Sequence, residues 1–142
     1  MKTILTSLSL VLAASPAFAT GGYGCIVDDV NIKLEIGGGL SHGIPSGPFN
    51  NSGKLEFKDK ALAHFDLARI DKPAQFWQED DDLKVLVYDE PVSSTVYTSM
   101  KLIIDTKWSD AAARHVGAYR IYLHTANGTS QSLQGPIACD IE

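Results

Sequence analysis

The stretch Leu83-Lys84-Val85-Leu86-Val87-Tyr88-Asp89-Glu90-Pro91-Val92-Ser93-Ser94-Thr95-Val96-Tyr97-Thr98-Ser99-Met100-Lys101-Leu102-Ile103-Ile104-Asp105-Thr106-Lys107-Trp108 decides the fold. Leu83, Val85 and Val87 alternate with Lys84, Leu86 and Tyr88, a period of two that lines one face of a strand. Asp89 to Ser94 supplies turn chemistry. A second alternation follows, with Val96, Thr98, Met100, Leu102 and Ile104 on one face and Tyr97, Ser99, Lys101, Ile103 and Asp105 on the other. Two such runs joined by a turn specify an antiparallel hairpin long enough to cross a whole sheet.

Upstream, Ile26 opens a strand in which Val30, Ile32, Leu34 and Ile36 share a face opposite Asn31, Lys33 and Glu35. One face meets a core and the other water, as in antiparallel sheets. Residues Gly37 to Gly53 hold six glycines and two prolines, which predicts a long loop carrying Leu40, Ile44 and Phe49 as apolar side chains. Loops of that length in a compact domain tend to be functional or disordered. Lys54 to Lys58 then reads as a short strand. Ala61 to Ile70 fits a short helix capped by Asp59, with Ala61, Leu62, Phe65 and Ala68 inward, or a strand in which Ala63, Phe65 and Leu67 alternate. Its shortness and its strand neighbours favour the strand, and Pro73 ends it. Glu79-Asp80-Asp81-Asp82 is expected as a turn between strands.

Downstream, Ser109 and Asp110 can cap one helical turn through Ala113 before a strand resumes at Val116 with Tyr119, Ile121 and Leu123 opposite Ala118, Arg120 and Tyr122. Asn127-Gly128 is the strongest turn signal of the chain, because Asn-Gly readily takes the positive φ angles of a tight hairpin. A returning strand runs from Thr129 through Leu133. Seven or eight short strands with at most one or two helical turns predict an all-β protein, an antiparallel sandwich or a partly open barrel, and of the two a single-domain antiparallel β-sandwich is chosen.

The ends set the compartment. Lys2, the apolar run Ile4 to Ala14 and the small-x-small site Ala17-Phe18-Ala19 read as a signal peptide over residues 1–19, with one domain over 20–142. The apolar run is too short to span a bilayer, so no membrane insertion is expected after cleavage. The expected location is periplasmic or extracellular. There Cys25 and Cys139, the two cysteines, are expected to form one disulfide joining the termini. A loop of that length stabilises by roughly 4 to 5 kcal/mol in the chain-entropy model. Without the leader, eleven Lys and Arg face seventeen Asp and Glu, a net charge near −6. Such a surface disfavours nucleic acid and anionic membrane and favours a cationic partner.

No motif specifies a reaction or a cofactor, and none is expected. Gly39-Leu40-Ser41-His42-Gly43 matches a hydrolase nucleophile elbow, but Ile44-Pro45-Ser46-Gly47-Pro48 cannot begin the helix that should follow. Asp105 and His124 follow in the chain order of a triad, a coincidence that a chain of this size offers readily. Glu79 to Asp82 raises calcium, which prefers several oxygen ligands, yet Lys84 stands where another oxygen is needed, and Asp28 and Asp29 would have to lie at the same edge. His42, His64, His115 and His124 are too scattered to gather on one metal. Trp77, Trp108, Tyr119 and Tyr122 suggest core packing or an aromatic contact patch. The reading is a small exported acidic binding module for a protein or small ligand, for instance an inhibitor of a cationic secreted protein, without catalysis. Its expected contacts are Leu40, His42, Ile44, Phe49, Glu79, Asp80, Asp81 and Asp82. The alternatives are a structural component of an envelope assembly and a small hydrolase using Ser41.

Overall fold

The computed structural model describes residues 20–41, 47–90, 98–125 and 127–142. The leader, His42, Ile44 and the Pro91–Ser94 turn therefore lie outside the described residues. The fold is all-β: β1 (Thr20–Asp28), β2 (Ile32–Ser41), β3 (Phe49–Phe57), β4 (Gln75–Glu79), β5 (Asp82–Asp89), β6 (Ser99–Ser109), β7 (Arg114–His124) and β8 (Ser130–Ile141). Every pairing is antiparallel, and one 3-10 helix, Lys60–Phe65, interrupts the strands.

The deciding stretch forms β5 and β6, with Val87 opposite Leu102 and Val85 opposite Ile104. Leu83, Val85, Val87, Met100, Leu102 and Ile104 are buried, as their alternation requires. On β7, Tyr119, Ile121 and Leu123 are buried and Tyr122 lies on the outer face. The strands form one curled sheet in the order β3-β2-β1-β8-β7-β6-β5-β4, rather than the two facing sheets expected of a sandwich. The reason is the pairing of the chain ends. Because β1 joins β8, the N-terminal hairpins and the C-terminal meander become one continuous ladder. The curl is deep enough to bring Phe76 of β4 against Tyr23 of β1, ring centroids 4.8 Å apart, although four strands stand between β4 and β1 in the sheet. The half-barrel's concave face holds the core, closed at one end by Leu62 and Phe65 of the 3-10 helix.

Cys25 and Cys139 face each other in the β1–β8 register and are joined as a disulfide inside this core. The strands of the two termini are adjacent and central in the sheet; the edges are β3 and β4.

Three local expectations are corrected. Val30 is no part of a strand face: it is 88% exposed at the tip of the β1–β2 turn, where Asp29 accepts hydrogen bonds from the Asn31 and Ile32 amides. The stretch Gly37 to Gly53 is mostly ladder rather than loop, with Gly37 opposite Ser52, Gly39 opposite Phe49 and a register shift between them. Here the backbones approach so closely that a Cβ at Gly37 would lie 2.7 Å from the Tyr23 carbonyl oxygen, so the sheet itself selects glycine. Lastly, Ala61 to Ile70 begins as a helix and not as a strand. Asp59 caps it by accepting from the Ala61 amide at 2.9 Å, and only Leu67 makes a bridge, to Leu55.

Candidate binding surface

Strand direction sorts the expected site residues by end. β2 finishes, and β5 begins, at the end of the sheet where Thr20 and Ile141 lie; the β4–β5 and β6–β7 turns lie there too. The β1–β2 and β7–β8 turns occupy the other end.

Ser41 is the last residue of β2, opposite Thr20, whereas His124 closes β7 at the opposite end. Asp105 sits on the outer face beside Lys84, 3.7 Å away. The three are not gathered into a triad. Asp28 and Asp29 are likewise at the other end from Glu79 to Asp82. Among the described residues no three His, Cys, Asp or Glu side chains converge as metal ligands.

Leu40, expected as a contact residue, is a core residue at 6% exposure, because β2 continues its inward alternation through Gly38. Phe49 is 40% exposed and packs over Gly39, where a Cβ would lie 2.6 Å from its ring. His42 and Ile44 lie outside the described residues.

The acidic run is the two-residue turn of the β4–β5 hairpin, closed by Glu79 opposite Asp82, with Asp80 at φ 50°. Asp tolerates that left-handed conformation better than most residues. Glu79, Asp80 and Asp81 are exposed, and among the described residues none of the four carboxylates forms an ion pair. From β6 the Trp108 amide donates to the Asp81 carbonyl at 2.7 Å, fixing the turn to the sheet.

Two residues before the turn, Trp77 stands 56% exposed on the outer face. With Gln75, Lys84, Leu86 and Ile103 it lines a shallow, largely apolar hollow of about 300 Å³. Register places Trp77 beside Lys84, and Gln75, Leu86 and Ile103 in one cross-strand row. Of the aromatics considered together from the sequence, Trp77 and Tyr122 belong to this outer face, and Lys101 lies 5.1 Å from the Tyr122 ring centroid. Tyr119 is core, and Trp108 packs edge-on to the buried His115 at 5.5 Å. The sequence missed Leu86, Ile103 and Trp77 as one patch because cross-strand neighbours depend on register, although their solvent-side parity was readable.

The arrangement can hold an apolar side chain beside an indole face, with unneutralised negative charge next to it. Compared with protein-family models, with characterised proteins and with solved structures, the chain finds no match in any of the three. What the fold and the surface define is a disulfide-bonded antiparallel half-barrel. Among the described residues no helix is long and apolar enough to cross a membrane.

Proposed function

We propose that this protein is an exported acidic binding module that recognises a cationic protein partner through the β4–β5 corner of its sheet. The observation that carries the reading is the turn Glu79–Asp82, whose carboxylates lack an ion-pair partner among the described residues and adjoin the exposed Trp77. Aromatic anchors flanked by charge are typical of recognition surfaces, and the net charge of −5 for the whole chain steers cations toward them. The signal-peptide pattern of residues 1–19 and the disulfide support an oxidising, exported compartment.

The test is capture of a partner from the native exported fraction, followed by titration of that purified partner. Wild type, Trp77→Ala and the triple variant Asp80→Asn, Asp81→Asn, Asp82→Asn are compared. The expected result is a basic partner whose affinity falls at least tenfold, about 1.4 kcal/mol, in either variant and weakens with added salt. A partner that is acidic, or that binds both variants as tightly as wild type, would overturn the reading.

A further inference from the structure

We propose that the partner enters as an extended, basic segment that adds a ninth strand to the open edge of β4. This rests on the binding reading above and assigns its mode. The sheet has two edges, and they are not equivalent. Along β3, the following segment covers the ladder: Leu55 and Leu67 exchange amide–carbonyl bonds at 2.9 Å, and the Ile70 amide donates to the Gly53 carbonyl at 2.8 Å. The remainder of β3 is bent by Asn50 at φ 50° and by the shift opposite Gly37 and Gly39. Bulges and covering segments are how proteins block edge pairing.

β4 has neither device. Gln75-Phe76-Trp77-Gln78-Glu79 pairs with β5 in unbroken register, contains no proline, lysine or bulge, and leaves four of its five residues exposed. Among the described residues no backbone hydrogen bond reaches its free side. In an antiparallel pair every second residue turns its N–H and C=O away from the partner, so β4 offers a row of unused donors and acceptors to an incoming chain.

Side chains on that chain would stand about 5 Å from those of β4. One set, on the outer face, would stand beside Gln75 and the exposed indole of Trp77, which calls for apolar residues. At the turn end the incoming strand would pass Glu79, Asp80 and Asp81, which calls for Lys or Arg. Lys84, the cation nearest the hollow, is already paired with Asp105 and does not cancel this charge. A second copy of the chain would carry the same net charge of −5 to the same edge, so like-charge repulsion disfavours it as the occupant.

The probe is a terminally blocked heptapeptide alternating lysine and valine. It is titrated against the disulfide-bonded protein beside a version N-methylated at alternate residues and a glutamate–valine counterpart. The expected result is binding at least tenfold tighter for the lysine–valine peptide than for either control, with slowed amide exchange at Gln75–Glu79. Trp77→Ala, and separately Gln78→Lys, which adds a blocking cation to the edge, should weaken binding at least tenfold without moving the melting temperature. Equal binding of the N-methylated peptide, protection elsewhere than β4, no binding of the lysine–valine peptide, or concentration-dependent self-pairing through β4 would each overturn edge pairing. In those cases the cationic partner captured through the acidic turn still tests the binding reading on its own, since loss of its affinity in the triple asparagine variant does not depend on β4 amides.

Discussion

Tyr119 shows how one side chain ties together parts of the chain that sequence cannot connect. Its alternation with Ile121 and Leu123 places it in the core, but its hydroxyl donates at 2.6 Å to Asp29, a residue 90 positions away. Asn31 in turn donates to the Tyr119 oxygen and to the Gln134 carbonyl, both at 3.2 Å, so the β1–β2 turn is anchored on the β7–β8 ladder. The anchor exists because Gly135 leaves room: a Cβ there would lie 2.5 Å from the Asp29 carboxylate. Burial raises the Asp29 pKa, but hydrogen bonds from Tyr119 and the Ile32 and Asn31 amides outweigh it and hold the carboxyl below its ordinary value. Its contribution is therefore full above the unfolded carboxyl range near pH 4 and is lost as pH falls through the lower folded value. Tyr119 itself is pushed up to about 12, by burial first and then by Asp29, so its contribution is present below about pH 10 and lost as pH rises toward 12. Tyr119→Phe is expected to cost about 1.5 to 3 kcal/mol near neutral pH in urea unfolding, the value of a hydrogen bond to a charged group. That difference from wild type should shrink below about pH 4 and again above about pH 10. A cost independent of pH would mean that the ring and not the hydroxyl carries the effect.

Among elements, those with a side-chain rhythm were legible and those set by backbone approach were not. β5, β6 and β7 declare themselves because inward positions are mostly apolar and alternate with mostly polar outward ones, and their core residues fall where parity puts them. Gly37 to Ser41 carries no such rhythm; it is strand because β1 pairs it residue for residue from Gly24 to Thr20, and glycine is what the close approach admits. The 3-10 helix departs from the strand expected there because Asp59 capping and the burial of Leu62 and Phe65 outweigh the strand propensity of its neighbours. The β1–β8 pair is the shortest link of the central sheet, with four paired positions against ten for β7–β8, and it joins residues 114 apart. The disulfide lies in that weak link. Replacing Cys25 and Cys139 together with serine is expected to lower stability by about 2 to 5 kcal/mol. Amide exchange in the variant should quicken first across β1 and β8, because without the staple that four-position ladder is the only strand pairing that joins the two halves of the sheet. Uniform quickening in all strands would indicate that the disulfide acts on the unfolded chain alone.

For the molecule as a whole, strand order is the property that sequence withheld, and the candidate surface depends on it. The turn at Glu79–Asp82 and the solvent parity of Trp77 could be read in advance, but that β4 lies at an edge follows from its pairing with β5 alone, and that it ends one continuous sheet follows from the pairing of β1 with β8. That order imposes a hierarchy of local stability, since a strand paired on both sides can open only by breaking two ladders. β1, β8, β7 and β6 are paired on both sides, lie over the buried disulfide or the largest core side chains, and should exchange amide hydrogens slowest in the free protein. Gly37 to Ser41, now part of a ladder between β1 and β3, should exchange with them and not as a loop. β4 has one partner and largely exposed side chains, so its amides should be the fastest of any strand, faster than those of β3, which Leu67 and Ile70 cover. Hydrogen exchange followed by mass spectrometry or NMR on the oxidised protein measures this order directly. If β4 proved as slow as β8 without any added ligand, its free side would already be occupied, and a strand open for a partner would not exist.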